Sequence, residues 1–390
     1  MPEGKEPSEE KIDTRKTMRV FSWASFLNDL GADMIYPIWP FFVTVFLGAN
    51  MAVLGFIDGL SDAVVSLSQA ASGYLSDRIR KRKLFIWLGY LFGGISRVGY
   101  AVSSVWQHLI PFRILDRAGK IRDAPRDAML ADISKRANRG ENFGILKAMD
   151  KLGGLFGVVF TVLFFSFLGY KNIFLIAAIP SFIGLALILF FIKEKKSENP
   201  EERKWLSFKE IGKDFRLFLF LSSFFALGSF SYSFLLVFAS RLGFKISFVP
   251  VLYLIFTSVA FLFSLPSGRM ADKIGRKPML MVAYILWGLV CWCFIFLRMY
   301  PWAIILSFVL YGIHKGILDP VQRTFVSELA PEKYRASALG LFQMVIGMCA
   351  LPSSLIAGIV WDKFGFLAPF CISLALTIPS ILLLTYVKEA

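Results

Sequence analysis

Again and again along this 390-residue chain, an apolar run of about 20 residues is ended by a short charged or turn-forming stretch. A helix rising roughly 1.5 Å per residue needs about 20 residues to cross some 30 Å of hydrocarbon. No other feature narrows the fold as far. Inside hydrocarbon the backbone must satisfy its own N–H and C=O groups, so these runs are helices. With 56% hydrophobic residues, 41 Phe and 9 Trp, the chain is more apolar than soluble domains, where about half of the residues or fewer are. Twelve spans are expected, near 18–47, 52–75, 84–104, 107–132, 143–168, 173–192, 217–239, 248–268, 279–297, 301–326, 337–361 and 366–387.

The first run begins near Met18, behind the mixed tail EGKEPSEEKIDTRK, and flows into a full span without a small-residue cleavage site. No signal peptide is expected. Cys291, Cys293, Cys349 and Cys371 all fall in apolar runs, where thiols act as small hydrophobes, so neither a disulfide framework nor a zinc site is expected. His108 and His314 are too few and too scattered for a metal centre and read as packing imidazoles. No metal or cofactor is expected, and the absence of a GxxxxGK[ST] stretch gives no support to ATP hydrolysis by this chain.

A formal net charge of +15 can signify nucleic acid in a soluble protein, but here it describes topology. With both termini cytoplasmic, inner tails and loops hold roughly 28 Lys and Arg against about 5 in the outer loops, the bias that orients a multi-pass protein. The expected location is the cytoplasmic (inner) membrane, with lipid around the protein and no nucleic-acid partner.

The longest inner connection, 193–216 (KEKKSENPEERKWLSFKEIGKDFR), separates a tail (1–17) and a first bundle (18–192) from a second bundle (217–387) and a short tail (388–390). A surface helix against the headgroups is expected over 205–215. The halves repeat. GYLSDRIRKRK at 73–83 aligns with GRMADKIGRKP at 268–278, and Asp132, Arg139 and Gly144 align with Glu328, Arg335 and Gly340 at nearly the same offset. Parallel six-span repeats are a transporter architecture. The expected fold class is all-α integral membrane, with twelve transmembrane helices in two pseudo-symmetric six-helix bundles.

The stretch Gly73, Leu75, Asp77, Arg78, Lys81 and Arg82 resembles the signature loop of the major facilitator superfamily (MFS), and Gly268, Asp272, Lys273, Gly275, Arg276 and Lys277 resemble its second copy. Arg113-x-x-Asp116 resembles the fourth-span Arg motif of that superfamily, with Arg117 where it has glycine. DLGADMIYPIWPFF, KIRDAPRDAML and KAMDKLG are similar to a prokaryotic branch of permeases within it. The resemblance covers essentially the whole chain. It implies a secondary transporter, not an enzyme, which works as a monomer by rocking two bundles about a midplane site.

Asp77 and Asp272 stand just past the ends of spans two and eight, where a carboxylate can meet helix N-termini or Arg side chains in contacts worth up to ~2 kcal/mol. Such contacts would latch the inner faces together, while Gly73 and Gly268 would let spans pass closely. Arg78, Lys273 and Arg276 belong to the same gate, as do Asp123, Arg126, Asp127, Asp132 and Arg139 at the inner end of span four and beyond it. Glu328 and Arg335 do the same in the second half.

Asp29, Asp62, Asp116, Arg117, Asp150 and Lys151 lie roughly 12–17 Å from the nearest interface. A central charge costs at least ~2.5 kcal/mol, so these groups must face one another or water. Arg113, Arg117, Lys120, Ala124 and Asp127 recur at helical spacing and form one stripe. Arg113 or Arg117 could then reach Asp29, Asp33 or Asp62, and Asp116 could meet Lys147 or Lys151. A carboxylate whose Arg partner moves between states can load and release a proton; Asp29, Asp33, Asp62, Asp116 and Asp150 are the candidates. Alternatively the cations bind an anionic solute directly. Candidates for substrate binding or charge switching are Asn28, Tyr36, Asp58, Arg113, Arg117, Lys120, Lys147, Lys151 and Tyr232. The second half offers hydroxyls and rings instead, which suits a small organic solute of anionic or amphipathic character. The rivals are a proton-coupled multidrug antiporter and, in another class, a non-transporting sensor or scaffold.

Overall fold

The computed structural model of the protein describes residues 14–79, 81–134, 139–194, 212–330 and 335–389. Span one is Thr14–Ile35, continued after a turn by Trp39–Phe41 and the wide-turn segment Phe42–Phe46. Span two is Met51–Ile79, span three Arg82–Val102, and span four the broken series Leu109–Ala118, Gly119–Arg122 and Asp123–Ile133. One continuous stretch, Arg139–Phe191, contains spans five and six, divided at Gly169, whose φ of 67° only glycine adopts without strain. Span seven is Lys213–Gly228 and Tyr232–Arg241. Spans eight to twelve are Val249–Ile274, Arg276–Phe296, Pro301–Leu329, Arg335–Phe364 and Ala368–Tyr386.

The surface helix expected over 205–215 lies outside the described residues as far as 211, and from Lys213 the chain is already span seven. Gly73, Asp77, Arg139 and Arg335 stand in helices, but their surroundings lie outside the described residues.

Among the described residues, nine helices are long and apolar enough to cross a membrane, and one of them is the fused pair of spans five and six. The two expected spans that fail this test, one and four, are broken and carry several charged residues each. Their ionised side chains lower hydropathy, and their breaks shorten each helix. In span one, Pro37 and Pro40 offer no N–H to the ladder. Large apolar side chains face outward elsewhere, with Phe167 85% and Phe190 82% exposed. Water would not tolerate so wide an apolar exterior, and hydrocarbon does.

The halves meet chiefly through spans two and eleven, and also through spans five and eight and the broken parts of spans one and seven. Gly55 and Gly59, one turn apart on span two, let the backbones of spans two and eleven touch: a Cβ at Gly59 would stand 2.6 Å from the Cα of Leu351. Bare backbone at such a crossing replaces side-chain packing with close van der Waals contact. Gly268 is different. No heavy atom lies within 4 Å of its missing Cβ, so the close passage expected there is not present.

The ends of spans six and twelve lie on the same face as the span two–three and span eight–nine connections. Glu194 accepts from the N–H groups of Arg82 and Lys83 at 2.8 and 3.0 Å, and Glu389 does the same for Arg276 and Lys277. This is the terminus side. On the opposite face, Asp362 at the end of span eleven accepts from the N–H groups of Met51 and Ala52 at 3.2 and 2.8 Å. That carboxylate caps the start of span two from the other half, satisfying otherwise orphaned donors. The far face is therefore clasped.

Candidate midplane transport site

The breaks in spans one and seven build the site. Proline at 40 leaves the carbonyl of Tyr36 without its helical donor, and the hydroxyl of Tyr232 donates to it instead, at 3.3 Å across the two halves. Ser231, where span seven restarts, accepts from the N–H of Ser233 at 3.2 Å as a helix cap. Its hydroxyl donates to Asp58 Oδ2 at 2.7 Å.

Asp58 is buried and fully engaged. Trp39 Nε1 donates to its Oδ1 at 3.0 Å, and Arg113 Nη2 stands 3.6 Å from the same oxygen. Arg113 also donates from Nε to Ser61 at 2.8 Å and lies 4.1 Å over the Trp39 ring. Asp116 is 3.9 Å from Arg113 and 3.6 Å from Arg117, while Arg117 Nη1 donates to the Tyr36 hydroxyl at 2.7 Å. Asp58, Arg113 and Arg117 each keep both a counter-charge and a hydrogen bond, which makes such buried ions tolerable.

A second layer lies toward the terminus side. Arg122 is 3.9 Å from Asp29 and 3.6 Å from Asp123. Lys120 is 3.9 Å from Asp123, to which Gln69 also donates, at 3.1 Å. Arg126 reaches Asp127 at 3.0 Å, Asp150 at 3.9 Å and the hydroxyl of Ser25 at 2.6 Å. Lys147 is 3.5 Å from Asp150, and Asn28 donates to Asp29 at 3.0 Å.

Several expected partners change. Arg113 and Arg117 meet Asp58 and Asp116 rather than Asp29, Asp33 or Asp62, and Asp116 pairs with those arginines rather than with Lys147 or Lys151. After these residues comes the tight turn Gly119–Arg122 within span four. Three residues per turn instead of 3.6 over four residues rotates everything downstream by roughly 80°. The regular stripe from Arg113 to Asp127 is broken, and Arg126, expected near the gate, is buried in the bundle together with Arg122. Among the described residues, no cation lies within ion-pair distance of Asp33 or Asp62, and Asp62 is exposed.

The gate residues also differ from expectation, because their visible contacts stay within one half. Asp272 pairs with Arg276 at 2.7 Å, and Arg276 with Glu328 at 2.9 Å. The first half repeats this with Arg82 and Asp132. Arg78 and Lys273 are exposed. Trp39, Ser61, Gln69, Arg82, Arg97, Glu194, Ser231 and Glu389 were not candidates by sequence. Arg97 has a visible signal, being a lone charge inside an apolar run, and Arg82 stands in the signature loop.

The sequence profile of the Major Facilitator Superfamily matches residues 21–261 and 220–390. An uncharacterized MFS-type transporter of Methanocaldococcus jannaschii is 36% identical over 364 residues, covering 91% of this chain and 90% of that relative. The multidrug resistance protein MdtG of Salmonella schwarzengrund is 25% identical over 94% of each chain. Among solved structures, a variant of the nucleoside transporter NupG superposes with a TM-score of 0.84 over 96% of this chain and 100% of its own, at 15% identity. Two six-helix halves, a profile that spans both and a relative at 36% identity over nearly the full length lead to one conclusion: the chain belongs to the Major Facilitator Superfamily and is a multi-pass membrane transporter, not an enzyme.

Proposed function

We propose that the protein is a secondary active transporter that works by alternating access, is coupled to protons and moves a small organic solute of anionic or amphipathic character. Both termini lie on the cytoplasmic side in this reading, which the distribution of Lys and Arg supports. The observation that carries it is the position of Asp58, which pairs with Arg113 of its own half while accepting a hydrogen bond from Ser231 of the other. Its charge is therefore tied to closure of the far face. A solute anion that takes Arg113 and Arg117 would loosen Asp58 and weaken the contact between halves. Asp33 and Asp62, which have no cation within ion-pair distance among the described residues, are the best placed to take the proton. Asp29, Asp116 and Asp150 are held by arginines and serve as the switching set.

A second reading, efflux of drug-like solutes against protons, is supported by the likeness to MdtG along nearly all of both chains. Ring-bearing side chains on the second half's wall, Tyr232, Tyr253 and Tyr311, suit such solutes.

The test is proton release from purified protein in detergent as nucleosides, organic anions and lipophilic cations are added in turn. Solute-driven release that disappears in Asp62→Asn or Asp33→Asn supports coupling. Binding that needs Arg117 but moves no proton in any variant rules coupling out, and release driven only by lipophilic cations favours the second reading.

A further inference from the structure

A groove separate from the midplane site runs between the beginning of span one and the end of span six, on the terminus side. Its volume is about 600 Å³, bounded by Arg15, Lys16, Arg19, Trp23, Leu187 and Phe191. The three cations are exposed and fall on one helical face, since 15, 19 and 23 are successive turns and 16 lies beside them. Just deeper are Trp23, 54% exposed, and Phe191, 48% exposed. Lys16 Nζ stands 5.7 Å from the Phe191 ring centre, so the cationic rim and the apolar wall adjoin.

We propose that this groove binds an anionic phospholipid of the terminus-side leaflet, its phosphate held by Arg15, Lys16 and Arg19 and an acyl chain laid along Trp23, Leu187 and Phe191. Charge complementarity selects the headgroup, because Arg15, Lys16 and Arg19 line the groove together. The apolar wall selects a lipid over a soluble phosphate, which would gain nothing from Trp23 or Phe191. The repeat-related position in the second half is different. There Lys213 and Arg216 flank Asp214, which accepts from the N–H of Lys388 at 3.1 Å. The groove is thus a property of the first half and not of the repeat.

Purified protein in mixed micelles, with either phosphatidylglycerol or phosphatidylcholine added, provides the test, and retained lipid is read by native mass spectrometry. The wild type should retain phosphatidylglycerol roughly tenfold better than phosphatidylcholine, and R15Q/K16Q/R19Q should abolish that preference. R15K/R19K, which keeps the charge, should preserve it and guards against a fold defect in the triple variant. K213Q/R216Q should leave it unchanged. Equal retention of both lipids overturns the proposal, as does an undiminished preference in the triple variant or an equal loss in K213Q/R216Q. Binding of glycerol 3-phosphate as tight as that of the lipid, and lost in the triple variant, would identify a free-phosphate site and overturn the lipid assignment.

Discussion

The same three-helix junction is held together twice in this protein, by different chemistry. In the first half, spans one, three and six meet at Arg97, which donates to the carbonyls of Ala177 and Asn28 at 3.0 Å each and to the hydroxyl of Ser181. In the second half, spans seven, nine and twelve meet at Trp287, whose Nε1 donates to Ser373 at 2.8 Å. Ser373 passes the connection on to the carbonyl of Gly228. Around it are the stacked pair Phe225 and Tyr284, 3.9 Å apart, and His314, which meets the carbonyl of Ala283 at 2.7 Å. One topology has a guanidinium at its centre in one half and an indole and a hydroxyl in the other. The first half keeps a fixed positive charge beside its carboxylates, and the second keeps a neutral, ring-packed wall.

The largest expected effect comes from Arg97→Met. It retains much of the side-chain volume but removes the donor group that ties two helix carbonyls and the Ser181 hydroxyl together. Stability should fall by about 3 kcal/mol or more, read as a lower apparent Tm in detergent. Arg97→Lys should recover part of the loss, because one ammonium can reach some of the partners but cannot reproduce the planar fork. A methionine variant as stable as the wild type would show that packing alone holds the first junction, and the contrast between halves would fail.

Asp58→Asn comes next, at about 2–3 kcal/mol, since it leaves buried Arg113 with only the more distant Asp116 at 3.9 Å. Ser231→Ala, which removes only the donor from the other half, should cost about 1 kcal/mol. Both should favour opening of the far face. That opening can be followed as alkylation of a cysteine placed at Asn50, in a background lacking the accessible Cys349 and Cys371. The two changes made together should be less than additive, because they break one hydrogen bond. Strict additivity would mean that Asp58 and Ser231 act independently and that the charged half does not govern the neutral one.

The contrast was only partly legible in the sequence. The twelve spans and the division into halves follow from apolar run length and charge bias, which survive any detail of packing. The repeat in the connections is legible too, because Arg82 with Asp132 and Arg276 with Glu328 occupy matching sites. The pairing inside span four is another matter. A few residues of tighter helix at Gly119–Arg122 exchange which arginines face inward, and no local composition announces that turn. Arg97 is visible as a charge, but its partners are carbonyls, which every residue possesses. Trp39 and Ser231 leave no trace, because an indole or a hydroxyl in an apolar run reads as ordinary packing until a carboxylate is placed beside it.

Trp287→Phe should cost about 1 kcal/mol, since it removes one N–H donor and little packing while Ser373 still reaches Gly228. It sharpens the comparison because the same number of donors is not at stake in the two junctions.

The smallest effects belong where the halves agree. On the terminus side, Asp132→Asn and Glu328→Gln each break one ion pair whose acid is well exposed, at 46% and 36%. Water and salt screen such pairs, so each change should cost about 0.2–1 kcal/mol, less at high ionic strength, and the two costs should be equal. Equality is the informative outcome, because it would place the asymmetry in the bundle interiors and leave the gates as a matched set. A markedly larger loss for Asp132→Asn, insensitive to salt, would mean that the charge imbalance reaches the membrane surface and that the first half's gate carries load its repeat does not.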